Sequence, residues 1–339
     1  MVRQFIASSL CIVTTLTCAT SCVDIEEYDN TTYGNMKALW TIMDEHYCFF
    51  EEKERALGVN WEDIGARYSQ QANKQLSQKQ EFELLCRMVG ELRDGHVNLS
   101  SPFDYGRNWS WKEDYPANFS DSLQRRYLGT DYKISNGIYY KILDDNTGYI
   151  YVGTFEYAIG DGNLDEILYY LISCNGLIID IRNNGGGLLT EAKKLAARFC
   201  NEKTFVGYMA HKNGPEHGDF SEKKEQWIEP SAGIRWQKKV CVLTNRSIFS
   251  AANEFTKYMK QMPLATVIGD TTGGGAGMPF SAELPNGWGV RFSACPMYDI
   301  DGKSTEQGIE PDMHVEMTDE DMRRNQDGII EAARAFLKE

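Results

Sequence analysis

The sequence predicts an α/β fold, a helical N-terminal subdomain followed by a core in which strands alternate with helices. Three observations carry this expectation. Apolar residues recur at helical spacing through residues 32–92. The runs GLIIDI, VCVLT and ATVIG are continuously apolar, as in strands buried on both faces of a parallel sheet. The first two of these runs lead through small and polar residues into helical patterns. The 339-residue chain is 42% apolar and 25% charged, which excludes disorder, collagen and coiled coil as its main state. With 49 acidic against 35 basic residues its formal charge is −14, so nucleic acid is not expected as a partner, because phosphate recognition needs a basic surface. No apolar run reaches the length of an ordinary membrane span, about 18 residues.

Residues 1–21 have the form of an export signal: Arg3, a short apolar stretch over 5–16, then small Ala19, Thr20 and Ser21. Cys22 resembles the lipidated cysteine of a bacterial lipoprotein, which would anchor the chain at the outer membrane on its periplasmic or outer face, with the leader cleaved before Cys22. Cys18 is a competing site, and a cleaved leader without lipid is the plainer alternative. An acidic tether covers 22–31, the helical subdomain 32–100, a connecting segment 101–136 and the α/β core 137–339. Cys48, Cys86, Cys174, Cys200, Cys241 and Cys295 form no CxxC pair and read as buried thiols, with a Cys174–Cys200 bridge left open.

Within the helical part, Met36, Leu39, Trp40, Met43 and Tyr47 form one stripe. A second helix over 61–68 follows Asn60 as N-cap, and Phe82, Leu85, Met88, Val89 and Leu92 mark a third, with Gly95 near its C-terminal cap. Residues 101–131 read as loop. Strands are expected at 137–143 and 149–155, a helix at 164–172, a strand at 176–181 and a helix at 188–199. The polar stretch 202–238 reads as an excursion containing the strand-like FVGYMA. A strand at 240–244, a helix at 250–262 stopped by Pro263, a strand at 265–269, a hairpin around Asn286-Gly287 and a closing helix from Asp319 or Asp327 complete the chain.

Ser250 lies just past a buried strand, where a helix begins. Reactive groups gather at the carboxyl ends of such strands, and the free N–H groups of the helix can hold an oxyanion. A serine there also serves as a plain N-cap, although Ser247 is the better cap and leaves Ser250 freer. Gly185, Gly186 and Gly187 let backbone N–H groups approach a ligand, or simply make a tight turn; the run matches no nucleotide-binding loop. His96, two residues after Asp94, could serve as the base for a serine, or be a structural histidine. His46, His211, His217 and His314 show no metal-ligand spacing, and neither metal nor cofactor is expected.

Taken together, YCFFEEKERALGVNWEDIGARY, ELRDGHVNLSSP, GYIYVGTF, GLIIDIRNNGGG, VLTNRSIFSAANEF, VIGDTTGGGAGMP, ELPNGWGVRFS and EQGIEPDMHVE resemble the carboxy-terminal processing peptidases and the tricorn core protease. The resemblance implies a crotonase/ClpP-like β-α core and a serine peptidase. Ser250 matches the family nucleophile, Ala251 and Gly186 the oxyanion N–H donors. The processing branch takes a lysine as base, and Gly275 stands in its place here; the tricorn-like branch takes a histidine and a glutamate, which His96 and Glu306 match. That branch has a serine directly before its histidine, where this chain has Gly95, so Asp94 or Glu306 is left to orient His96. The interval between His96 and GYIYVGTF is too short for the PDZ module of the processing peptidases. The expected activity is hydrolysis of peptides or unfolded proteins through a Ser250 acyl-enzyme. The alternatives are an inactive carrier on the same fold and acyl transfer on a thioester. Oligomeric state and cleavage preference are left open.

Overall fold

The computed structural model describes residues 28–339; the export leader and Cys22 lie outside the described residues. Helices α1 (Thr32–His46), α2 (Phe50–Leu57), α3 (Trp61–Ala72) and α4 (Gln78–Gly90) form the N-terminal region. The starts of α3 and α4 follow capping chemistry: Asn60 Oδ1 accepts the Asp63 N–H at 2.9 Å, and Ser77 with Gln80 forms a reciprocal capping box. Gly95 is not a helix cap, because α4 ends at Gly90 and Arg93 takes the positive φ in the turn that follows.

The segment read as loop, 101–131, carries more structure than its composition suggests: β2 (Tyr105–Gly106), α5 (Ser110–Glu113) and α6 (Asp121–Leu128), flanked by β1 (Asn98–Ser100) and β3 (Lys133–Ser135). Helix α6, DSLQRRYL, buries only Leu123, Gln124 and Leu128, too narrow a stripe to register as a period. Beyond it come β4 (Ile138–Ile142), β5 (Thr147–Tyr151), α7 (Asp161–Leu171), β6 (Gly176–Asp180), α8 (Leu189–Ala196), β7 (Thr204–Met209) and β8 (Lys224–Ile228). The chain closes with β9 (Val240–Thr244), α9 (Ala251–Met259), β10 (Ala265–Gly269), β11 (Gly277–Glu283), β12 (Gly289–Tyr298), β13 (Met313–His314), α10 (Asp319–Arg324) and α11 (Gly328–Lys338).

Seven strands form the main sheet in the order β13-β10-β9-β6-β5-β4-β3. The run from β13 to β5 is parallel, and β4 and β3 extend it as an antiparallel edge. Alternation along the apolar runs assigns residues to two faces. Leu177, Ile179, Val240, Val242 and Val267 pack with α7, α8 and α9, whereas Ile178, Cys241, Leu243 and Ile268 pack with Ile329, Ile330 and Ala333 of α11. A strand with helices on both sides has no solvated face, which is why these runs show no polar alternation. The second sheet has the order β2-β1-β12-β7-β8, with β11 also paired to β12. The α1–α4 region shares one apolar core with this sheet, through Leu284, Trp288, Val290 and Phe292. Pairing of Asn98 with Arg291 fixes the turn holding His96 to the second sheet. The six described cysteines are all free thiols, and no described helix is long and apolar enough to cross a membrane.

Candidate active site

The β9–α9 connection delivers Ser250 at the carboxyl end of β9. Its backbone sits at φ 57° and ψ −123°, a region an L-residue occupies at a cost of order 1–3 kcal/mol unless the surroundings hold it there. Three contacts do so. The Ser250 N–H donates to the Gly274 carbonyl at 2.9 Å, the Ser250 carbonyl accepts from Glu254 N–H at 3.0 Å, and the Phe249 N–H donates to the Asn184 carbonyl at 3.1 Å. Ser250 holds the N-cap position, so Ser247 lies too early to cap α9; yet the Ser250 hydroxyl caps nothing. It lies 3.0 Å from Nε2 of His96, contributed by the α4–β1 turn 154 residues earlier.

His96 is buried, and burial lowers its pKa to about 4; nearby Asp94 acts in the opposite direction and Arg291 adds to the lowering. At neutral pH the ring is therefore uncharged, with Nε2 able to accept the serine proton. The expectation that Asp94 or Glu306 hydrogen-bonds the ring is not met. Asp94 Oδ1 accepts the His96 backbone N–H at 2.7 Å, and Oδ2 accepts the Tyr47 hydroxyl at 2.9 Å and the Ser293 hydroxyl at 3.0 Å. Glu306 takes the Lys53 ammonium at 3.4 Å on Oε1 and the Ala276 N–H at 2.9 Å on Oε2. His96 Nδ1 is buried with no hydrogen-bond partner among the described residues. Glu306 instead braces the 274–276 loop, whose Gly274 carbonyl receives the Ser250 N–H. Burial, then the charge of Asp94, pushes the Glu306 carboxyl up to about 8, although Lys53 opposes this.

What supports the imidazole is aromatic. The Phe249 ring lies 4.7 Å from the His96 ring and stacks at 4.4 Å on Trp111, so both side chains back the dyad. This pair explains the two departures from the family pattern. A Cβ on Gly95 would come within 2.6 Å of Trp111 Nε1 and 2.8 Å of Phe249, and a Cβ on Gly275 would run into the Phe249 ring at φ +77°. The Phe249 ring thus fills the space at both positions, joined by Trp111 at Gly95. Gly275→Lys is expected to lower thermal stability by about 1–3 kcal/mol through overpacking and backbone strain, without creating a second base. Melting curves and the alkaline limb of the rate profile test this, and increased activity above pH 9 would contradict it. Neither ring stands out beforehand: Phe249 reads as an ordinary apolar residue and Trp111 as part of a loop.

The glycine loop after β6 lies against the serine. A Cβ on Gly186 would approach Ser250 Cβ to 2.8 Å and the Ala251 nitrogen to 2.9 Å. The Ala251 N–H has no partner among the described residues, as the first position of a helix requires. The Gly186 N–H, matched above to the oxyanion donors, is already engaged by Asn184 Oδ1 at 2.9 Å. The neighbouring Gly187 N–H has no described partner, so the unengaged donor lies one residue further along the chain. Beneath the loop, the fully buried Arg182 guanidinium binds Asp180 with Nε at 2.9 Å and Nη2 at 2.7 Å, and Asp327 with Nη1 at 3.0 Å. Asp327 in turn caps α11 through the Ile329 and Ile330 N–H groups.

Ser250, His96 and the glycine loop open onto one cleft of about 860 Å³. Among the described residues no group of three or more His, Cys, Asp or Glu side chains is placed to hold a metal ion.

Residues 146–315 match the model of peptidase family S41, and residues 29–90 match the tricorn protease C1 domain. The carboxy-terminal processing protease CtpA of Bacillus subtilis (strain 168) is 24% identical over 184 residues, covering 54% of this chain and 38% of CtpA, so the match takes in little more than a third of that relative. A solved structure from Parabacteroides merdae ATCC 43184, described as a candidate peptidase, is 46% identical with a TM-score of 0.86 and covers 91% of this chain and 97% of its own. Mature CPAF in complex with lactacystin has a TM-score of 0.71 at 13% identity, covering 91% and 97%, and shares the fold. A family model spanning half the chain, laid over the segment that carries the glycine loop and Ser250, means that the chain belongs to peptidase family S41.

Proposed function

We propose that the chain hydrolyses peptide bonds, with Ser250 as nucleophile and His96 as its base, on peptides or unfolded segments that can enter the cleft. The observation that carries this reading is the 3.0 Å approach of Ser250 Oγ to His96 Nε2 in a cleft beside unengaged backbone N–H groups. As Oγ attacks the scissile carbonyl, Nε2 takes its proton, and the carbonyl oxygen turns toward the Ala251 and Gly187 N–H groups. One such donor typically stabilises the transition state by about 3–4 kcal/mol. The imidazolium then protonates the leaving amine, and water, deprotonated by the same nitrogen, releases the acyl group. The charge of Asp94 stabilises the imidazolium through space while its oxygens stay fixed by other donors. The endopeptidase character, the export leader and a lipid on Cys22 belong to the same proposal and rest on sequence.

A fluorophosphonate probe should label wild-type protein at Ser250, and neither Ser250→Ala nor His96→Ala should label. Absence of label on wild type, with probe-reactive controls positive, would leave the fold but remove the hydrolase.

The lowered pKa of His96 gives a second test. Nucleophilic attack needs the neutral ring, so kcat/KM is expected to rise as pH passes about 4 and to be flat near neutrality. A lysine base would place the rise far higher. Stability is a poorer readout, because two shifts oppose each other. The depressed His96 pKa removes stability as pH falls from 6.5 toward 4, by about 3 kcal/mol. The raised Glu306 pKa adds stability at low pH and loses it as pH rises from 4.5 through about 8.

A further inference from the structure

We propose that the cleft selects peptides bearing a carboxylate close to the scissile bond; this rests on the peptidase reading and names its substrate class. The argument starts from a charge inversion. The chain carries 49 acidic and 35 basic residues, yet the cleft beside Ser250 is lined by three cations, Arg107, Lys112 and Arg291, and by one acid, Glu156.

None of the three cations has an acidic partner among the described residues, whereas the buried cations Lys53 and Arg182 are paired. Arg107 and Lys112 are held by aromatic faces instead. The Arg107 guanidinium lies 4.5 Å from the Tyr105 ring and 5.5 Å from Trp109, and the Lys112 ammonium lies 4.3 Å from Trp109 and 5.5 Å from Trp111. An aromatic face orients a cation without neutralising it, so the positive charge stays available to an incoming anion. Arg291 lies on β12 across from Asn98, near enough to His96 to act on its protonation.

These groups line the cleft along one edge of the second sheet: Arg291, on β12, pairs with Asn98, and Arg107 directly follows Gly106, which pairs with Leu99, with Lys112 further along the β2–α5 segment. Trp111 joins that segment to the dyad, since it stacks on Phe249 and its carbonyl accepts from buried Arg246 at 2.7 Å. A carboxylate in the cleft would therefore meet three unneutralised cations, two of them oriented by aromatic faces. Two sources supply the same group: an Asp or Glu side chain, or the free C-terminus of a peptide.

The test uses the folded chain and four internally quenched peptides of one sequence, carrying Glu or Gln next to the cleavage site, each with a free or amidated C-terminus. The expected result is about a tenfold higher kcat/KM for peptides with the preferred carboxylate at low ionic strength, with the ratio shrinking as salt is raised. If the Glu/Gln pair sets the ratio, the side chain is read; if the acid/amide pair does, the terminus is. The Arg107→Gln/Arg291→Gln double variant should bring the ratio toward one, and Arg107→Lys/Arg291→Lys, which keeps the charges, should restore most of it. Equal or faster turnover of the uncharged peptide by wild type overturns the inference and leaves the peptidase standing. Anisotropy with the Ser250→Ala variant and the same peptides separates the two readings. Carboxylate-dependent binding there, with no hydrolysis and no fluorophosphonate label on wild type, would overturn the peptidase reading and keep the charge preference.

Discussion

Ser250→Ala is expected to lower kcat by about 10⁴–10⁶-fold with the fold intact, because no other described hydroxyl lies within hydrogen-bond reach of the His96 ring. His96→Ala should cost about 10²–10⁴-fold, the usual contribution of a positioned base. The double variant should be no slower than Ser250→Ala alone, since two groups that act as a unit give non-additive losses. Turnover of a quenched peptide, with melting temperature and circular dichroism alongside, checks all three. The backbone at Ser250 sharpens the experiment. Its φ of 57° is held by the Gly274 and Asn184 carbonyl contacts, so alanine keeps the same strained turn and the loss reports on the hydroxyl. A Ser250→Ala protein that retained a tenth of wild-type activity would end the acyl-enzyme proposal, and equal losses from His96→Ala and Phe249→Leu would shift the imidazole's importance from proton transfer to packing.

Arg182→Met is expected to destabilise the chain by about 3–5 kcal/mol, read from the denaturation midpoint in urea. Methionine fits the apolar part of the site but leaves Asp180 and Asp327 buried and facing each other without their shared cation. Breaking a buried pair is costly for that reason, although a wholly apolar replacement of all three residues could be neutral. Asp327 also holds the first turn of α11, which covers one face of the main sheet, so the effect should spread to that helix. The comparison is Arg323→Met on α10, where an exposed pair with Glu320 should be worth no more than about 1 kcal/mol. Similar losses from the two variants would show that Arg182 is replaceable in this site.

How much of this was legible in the sequence differs by element, for physical reasons. The three buried strands and the helices between them were readable because continuous apolar runs and 3.6-residue stripes leave few alternatives. Ser250 and His96 were readable because each sits in a recognisable stretch, and the structure brings them within 3.0 Å. That Asn184 Oδ1 accepts the Gly186 N–H was not legible, since the sequence does not show which loop donors are already engaged. The partner of the His96 ring was sought among carboxylates, as chemistry suggests, but Asp94 and Glu306 are engaged by Tyr47, Ser293, Lys53 and Ala276, from segments up to 253 residues apart. Helix α6 was missed because its short polar sequence buries three residues only. Gly95 was misread as a helix cap because glycine's other use, admitting a close neighbour, depends on Trp111 and Phe249 arriving from elsewhere.

The separation of Ser250 from His96 by 154 positions has a consequence for the life of the molecule. Until the α4–β1 turn docks beside the start of α9, the hydroxyl is an ordinary alcohol and the ring a solvated base. On the proposed mechanism, reactivity therefore arrives only with this long-range docking step and vanishes with its breach. A chain still being synthesised or refolded would, on that mechanism, leave its unfolded siblings uncut.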